Sequence, residues 1–342
     1  SRSIQVLHVI NDLSGGGAER IVLDLCSHAR TVHPRVAIVH EGGTLTHAFE
    51  DAGIEVLCAG RVRGRPGFRA TRQLSAWARE ADLVHTHLWA GDTWGRAAAW
   101  LAGHRAVVST EHNTGGEPRW RRRVQVHMAS LSQRVVCVSR AAARAAGAEG
   151  VPASRLAVVH NGVDLSRFEP RSVRSAVGDR VLGIGRLTRQ KGFDVLGLAM
   201  RELGGVHCRV IGEGEERAAL LEYGLDIPGW TADVRPHLAW ADVLAVPSRW
   251  EGFGLVVVEA MASGVPVVAS RVDGLDEVVG DAGILVPPDE PGALASALGR
   301  VLEDRELRAE LAAAGIRRSR LFGVDTMVAA YEQLYSDVLS ET

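Results

Sequence analysis

Residues 248–267 read SRWEGFGLVVVEAMASGVPV. The apolar run before them, 243–246, reads as a strand ending at Val246, and Pro247 and Ser248 turn the chain. EGFG follows, and Leu255 to Ala262 reads as a helix. Another apolar run comes at 265–269. Strands alternating with helices specify a parallel sheet covered on both faces. The first N–H groups of a helix are unpaired and carry partial positive charge. With Gly252 and Gly254 permitting close approach, this turn suits a diphosphate. Glu251 lies just before the helix. Glu259 lies about one and a half turns in, roughly 7 Å along the axis at ~1.5 Å per residue. One ligand can meet one carboxylate at its sugar end and the other near its ribose. The plain alternative is a solvated Glu251 and a surface Glu259.

Working outward, the same style fills the chain. Apolar runs at 4–10, 36–39, 54–57, 83–84, 106–108, 135–138 and 156–159 alternate with helix-like segments such as 18–29, whose Ile21, Val22, Leu25, Cys26 and Ala29 share a face. A second series follows at 181–184, 208–211, 243–246, 265–269 and 283–286. Two series imply two doubly wound, Rossmann-like α/β domains. The length of 342 residues agrees, because one core usually stops growing at about 250–300. The expected boundary lies in 161–177, where Asn-Gly, Pro170 and scattered charges break the periodicity. The domains are read as 1–165 and 166–322, with a last helix within 323–342 carrying Met327, Val328, Tyr331, Leu334, Tyr335 and Val338 on one side.

The net charge of −2 argues against a general nucleic-acid binder. It is unevenly divided: residues 1–165 hold 20 Arg against 14 Asp and Glu, and 166–342 hold 19 basic against 27 acidic. A basic half and an acidic half suggest different ligands. The four cysteines, Cys26, Cys58, Cys137 and Cys208, have no metal or redox spacing and sit in apolar stretches. Buried free thiols in a reducing compartment are expected. No apolar run reaches the ~18 residues of a membrane span, and the first residues lack a signal-peptide core. A cytoplasmic setting is expected. The Ala-, Arg-, Gly- and Val-rich composition suits a GC-rich bacterial genome.

Of the 39 basic residues only Lys191 is lysine. It lies in GIGRLTRQKGFD, 183–194, where an apolar strand runs into a glycine and then Arg186, Arg189 and Lys191. Cations at the carboxyl end of a parallel strand sit where such sheets bind ligands. Arg offers a fork to phosphate oxygens and Lys a point charge. A solvated basic loop is the plain alternative.

NDLSGGGAER, 11–20, follows the first strand. As a dinucleotide fingerprint it fails, because Arg20 occupies the place of the third glycine. Glu41 is the acid an NAD reading would require. The preferred reading is a glycine loop against donor phosphate or acceptor. DLVHTH (82–87) and STEHN (109–113) end adjacent strands, so His85, His87 and His112 should cluster at the carboxyl edge of the first sheet. H-x-H without a third ligand at fixed spacing is a weak metal signal. His112 reads as a neutral partner of sugar hydroxyls, and His85 and His87 as structural. Two basic stretches, 61–72 and 119–123, read as solvated faces, or as contacts to an anionic acceptor or an anionic membrane surface.

Together these residues resemble the retaining glycosyltransferases of family 4, from the first strand to the last helix. The resemblance rests on the E-x7-E element Glu251 to Glu259, the GR…KG element with Arg186 and Lys191, the GGGAER loop, and HNGVDLSRF at 160–168. It implies a GT-B fold: two Rossmann-like domains facing a central cleft, the first for acceptor, the second for nucleotide sugar, with the last helix crossing back to the first. It implies that Arg186 and Lys191 hold the donor diphosphate, Glu259 the ribose, and Glu251 the sugar hydroxyls near the anomeric centre. Phe253, Gly254, Leu255 and Val256 would supply backbone amides, Glu213 would lie near the nucleobase, Gly16 and Gly17 would shape a loop over the donor, and His112 would sit near the reacting centre. The implied reaction moves a sugar from a UDP- or GDP-linked donor to a hydroxyl of a small natural product, glycan or lipid. It retains anomeric configuration and needs no cofactor or essential metal. A sugar-nucleotide 2-epimerase and a non-catalytic sugar-nucleotide binder are the alternatives. The first domain is short for the family, and Arg189 adds a charge; both bear on the acceptor.

Overall fold

Apolar runs without alternation become strands only where both sheet faces are covered. The computed structural model, which describes residues 3–40, 42–60, 68–112, 118–170 and 178–342, meets that condition twice. The chain divides into two units, 1–162 with 324–342, and 163–323.

The first unit runs β1 (Ile4–Ile10), α1 (Gly17–Ser27), β2 (Val32–Ile38), α2 (Thr46–Asp51), β3 (Glu55–Cys58), α3 (Phe68–Glu80), β4 (Leu83–His87), α4 (Leu88–Leu101), β5 (Val107–Glu111), α5 (Arg119–Met128), β6 (Arg134–Cys137), α6 (Arg140–Ala148) and β7 (Leu156–Val158). Its seven strands lie in the order β3-β2-β1-β4-β5-β6-β7, all parallel. The second unit runs β8 (Arg180–Ile184), α7 (Phe193–Leu203), β9 (His207–Ile211), α8 (Arg217–Leu221), β10 (Asp226–Gly229), α9 (Arg235–Trp240), β11 (Val243–Val246), α10 (Leu255–Ala262), β12 (Val267–Ser270), α11 (Asp273–Val279), β13 (Ile284–Val286), α12 (Pro291–Glu303) and α13 (Arg305–Ser319). Its six strands lie in the order β10-β9-β8-β11-β12-β13, again parallel. The final helix, α14 (Val324–Ser340), belongs to the first unit.

In both sheets the chain winds outward on one side of its first strand and then returns to the other. That return creates a switch point between β1 and β4, and between β8 and β11. Loops leaving the carboxyl ends there diverge to opposite faces and leave a crevice for ligands. The strands beside it are anchored deeply. All of β11 and β12 is buried, and Leu196, Leu298 and Val301 of the second core have no exposed surface. Truncating such a leucine to alanine costs about 2–5 kcal/mol, so the site rests on a rigid base.

Several expectations need correction. Cys58 is exposed, because β3 is the edge strand and Cys58 its last residue; its thiol lies 3.0 Å from Gly60 O. β4 extends through His87, so His85 and His87 lie inside the strand. α1 ends at Ser27 and leaves Ala29 outside. The strand β10 carried too weak a signal at four residues with one proline. Glu41, Arg61, Arg63, Arg65 and Asn113 lie outside the described residues.

Candidate active site

The second unit's site begins with two loops. The one after β8 carries Arg186 to Lys191, and the one after β11 carries Pro247 to Gly254. They meet at Gly192, whose φ of 66° is left-handed and where a Cβ would lie 2.1 Å from Pro247 O. Only glycine allows that approach. The Lys191 ammonium donates to Glu251 Oε2 at 2.5 Å, and the Ser248 hydroxyl lies 3.4 Å from the same oxygen. Both partners are mostly buried, with side chains 16% and 13% exposed. Arg186 is exposed and donates to Gln190 Oε1 at 3.2 Å; Gln190 Nε2 donates to Trp250 O at 3.1 Å.

Arg249 locks this corner. Its guanidinium grips Asp194 at 2.9 and 2.7 Å, Asp289 at 2.6 Å and the Arg189 carbonyl at 2.7 Å. Burial pushes the Asp194 carboxyl up, but the Arg249 fork outweighs it and holds the group below the usual carboxylate range. Asp194 also sits in the first turn of α7, where a negative charge complements the helix dipole.

Next to the pair, α10 starts at Leu255. Gly254 precedes it with φ 87°, and no side chain caps the helix. The leading amides of Leu255 and Val256 therefore keep their donor capacity. Glu259 is half-buried on the same helix, and buried Phe253 meets Phe322 edge-on at 5.4 Å between ring centroids. Exposed Glu213 follows β9, its carbonyl accepting from Leu187 N at 2.8 Å. The segments that follow three neighbouring strands, β9, β8 and β11, thus bring Arg186, Lys191, Glu213, Glu251 and Glu259 to one edge of one sheet.

His112, Gly16 and Gly17 belong to the first unit. Gly16 caps α1 and Gly17 begins it. His8, His85 and His87 face one side of the sheet, and Tyr331 and Tyr335 of α14 lie against His85. His85 Nδ1 lies 2.7 Å from Tyr335 Oη and Nε2 2.7 Å from Thr110 Oγ1. His8 Nδ1 lies 3.0 Å from His87 Nε2, and His87 Nδ1 lies 3.2 Å from His112 Nε2. Burial lowers all four imidazoles, His8 to about 3 and His112 to about 4. The nitrogens of His8, His85 and His87 approach within 4.8 Å of one another. Both nitrogens of His85 and both of His87 are already committed, so the set fits a hydrogen-bonded cluster better than a metal site. A cavity of about 400 Å³ opens beside His112, lined also by Asn11, His40, Trp89, Glu111 and Arg121. Burial, with Asp92 adding, raises Glu111 to about 7.

Residues 15–167 match the family described as Glycosyltransferase Family 4, and residues 178–304 match Glycosyl transferases group 1. The D-inositol 3-phosphate glycosyltransferase of Xylanimonas cellulosilytica is 33% identical over 75% of this chain and 72% of its own. The chain belongs to glycosyltransferase family 4. This glycosyltransferase is also 31% identical to the D-inositol 3-phosphate glycosyltransferase of Nocardioides sp., over 89% of this chain and 79% of that one. Its fold is that of HepE from Anabaena, solved in complex with UDP-glucose: TM-score 0.87, 23% identity, 99% of this chain and 100% of that one. Both are GT-B proteins.

Sequence reasoning named the charged pair of this glycosyltransferase but missed its scaffold. Arg249 and Asp194 carry no motif that distinguishes them from surface charges. His8 was equally silent, since a histidine inside β1 shows its partners only once β4 is laid beside it. The basic stretch 119–123 becomes an exposed helix, where Arg121 stacks on Trp89 at 5.2 Å and on Trp120 at 5.5 Å.

Proposed function

We propose that this glycosyltransferase moves a sugar from a UDP- or GDP-linked donor to a hydroxyl acceptor, with retention of anomeric configuration and without an essential metal. The observation carrying this reading is the Lys191–Glu251 pair beside the uncapped start of α10, at the switch point of the second sheet.

A departing diphosphate needs positive partners that strengthen as its charge develops. Arg186 offers a fork, Lys191 a point charge, and the amides of Leu255 and Val256 the end of a helix dipole. Phe253 and Gly254 set where that helix begins. These groups take the role that a divalent cation would otherwise fill. Glu251 holds the Lys191 ammonium in place and offers its other oxygen to sugar hydroxyls. Glu259 takes the ribose hydroxyls, and Glu213 lies toward the base. In the first unit, His112 offers its Nδ1 to a hydroxyl, and Gly16 and Gly17 shape the loop ahead of α1. The leaving phosphate itself accepts the acceptor proton.

UDP is favoured as the nucleotide by the UDP-glucose complex of HepE and by 28% identity to the Escherichia coli UDP-Gal:alpha-D-GlcNAc-diphosphoundecaprenol alpha-1,3-galactosyltransferase, over 66% of this chain and 67% of that one. A polyol phosphate leads the acceptors, from the inositol phosphate relatives. A thermal-shift panel of UDP, GDP, ADP, TDP and NAD tests the donor site. A ligand at ~100 times its Kd adds about 2.7 kcal/mol. Stabilisation by one diphosphate and not by NAD is expected; a shift with NAD alone, or with none, overturns the reading. The anomeric form of the product, read by NMR, tests retention.

A further inference from the structure

The His8–His87–His112 contacts form an unbranched chain inside the first unit. All three rings are neutral, because burial holds each well below its ordinary value. A neutral imidazole has one N–H and one lone pair. Three in line can therefore be wired in only two ways: every proton on Nε2, or every proton on Nδ1. Any mixture sets two N–H groups or two lone pairs face to face, and an unsatisfied buried group costs ~1–3 kcal/mol. The neutral imidazole of histidine intrinsically prefers its proton on Nε2, and the first arrangement satisfies that preference three times.

The sides of the chain are closed. The His85 ring lies 4.0 Å from that of His87, but both its nitrogens are taken by Tyr335 and Thr110. It cannot compete for His87. The far end is open. His112 Nδ1 is buried beside the 400 Å³ cavity and has no hydrogen-bond partner among the described residues. An unpaired buried acceptor there is a standing cost unless a ligand uses it.

We propose that His8 and His87 are positioning residues which hold His112 as its Nε2–H tautomer, so that its bare Nδ1 accepts a hydrogen bond from a hydroxyl of the transferred sugar or of the acceptor. The ligand class rests on the glycosyl-transfer reading; the wiring does not. A hydroxyl hydrogen fits this site, and a carbonyl or a phosphate dianion, having no hydrogen to give, does not.

Long-range 15N–1H NMR of the histidine-labelled full chain reads each tautomer directly. His8, His87 and His112 should all show the Nε2–H pattern at pH 7. An Nδ1–H pattern or a tautomer mixture at His112 overturns the proposal in the wild-type protein alone. His87→Phe should then release His112 into a mixture and lower kcat about tenfold, the loss of one hydrogen bond, with donor KM unchanged. An unchanged His112 spectrum, or a shifted tautomer with unchanged kcat, overturns the positioning role. Should His87→Phe not fold, His8→Phe removes the end of the chain and reads the same resonance. Glycosyl transfer failing with every nucleotide sugar, while the Nε2–H pattern stands, refutes the function and leaves the wiring intact.

Discussion

The single lysine of this glycosyltransferase points its ammonium at Glu251, 2.5 Å from Oε2, where strands β8 and β11 part. The two residues are 60 apart in the chain, and each was singled out by its own motif. Their contact joins the element proposed to bind phosphate to the element proposed to bind sugar. Lys191→Ala should therefore lower kcat/KM for sugar transfer by about 100-fold or more, as loss of a strong electrostatic partner does. Glu251→Gln keeps the shape and removes the charge, and should reduce kcat more than the KM for donor. Steady-state kinetics with the diphosphate identified by thermal shift decide both. Near-normal rates in either variant would place the chemistry elsewhere.

Glu259 predicts a different signature. The ribose contact proposed for it would be made equally in ground and transition states, so its loss is a loss of uniform binding. Glu259→Ala should raise donor KM about tenfold, with a smaller change in kcat. Isothermal titration of the free nucleoside diphosphate should show the same loss. A large fall in kcat at unchanged KM would contradict the assignment.

Arg249 touches no proposed ligand group yet ties the two loops through Asp194, Asp289 and the Arg189 carbonyl. Arg249→Ala strands Asp194 half-buried without its fork and should cost about 1–3 kcal/mol of stability. Arg249→Lys should restore little, because an ammonium cannot reproduce a planar fork. Melting curves with and without UDP measure both effects. Equal melting of wild type and Arg249→Ala would show the corner to be held by packing alone.

The buried imidazoles make stability depend on pH. Their folded values lie below the unfolded value of 6.5, with His112 at about 4 and His8 at about 3. The stability they contribute is present above 6.5 and is lost as pH falls toward those values. At pH 5 each of these two costs on the order of 2 kcal/mol relative to neutral pH. Glu111, raised to about 7, acts oppositely: its contribution is complete at low pH and fades as pH rises through 7. The imidazoles outnumber it, so the melting temperature should drop steeply between pH 6.5 and 5. Flat melting across that range would show the rings to be solvated.

Metal independence has a direct check. If Arg186, Lys191 and the α10 amides carry the diphosphate as proposed, EDTA should leave initial rates unchanged and added Mg²⁺ should not raise them. Loss of rate in chelator, restored by one divalent cation, would overturn that part of the reading.

What the sequence determined by itself is the part written in local patterns. Unalternating apolar runs, glycine turns and amphipathic segments announced two parallel sheets, and α10 occupies Leu255–Ala262 as its pattern demanded. The turn at 248–254 and the cations at 186–191 were legible because a ligand-binding loop must hold its chemistry within a few residues of a strand end. Tertiary structure alone decided which charges face each other. Lys191 meets Glu251, Arg249 grips Asp194, and His8 joins His87 only because parallel register places residues 55 to 79 positions apart on neighbouring strands and their loops. The same register exposes Cys58 by leaving β3 at the edge and buries His85 and His87 by carrying β4 through them. Periodicity records which side of an element is apolar; it holds no record of the element packed against it, and burial and pairing are properties of that second element.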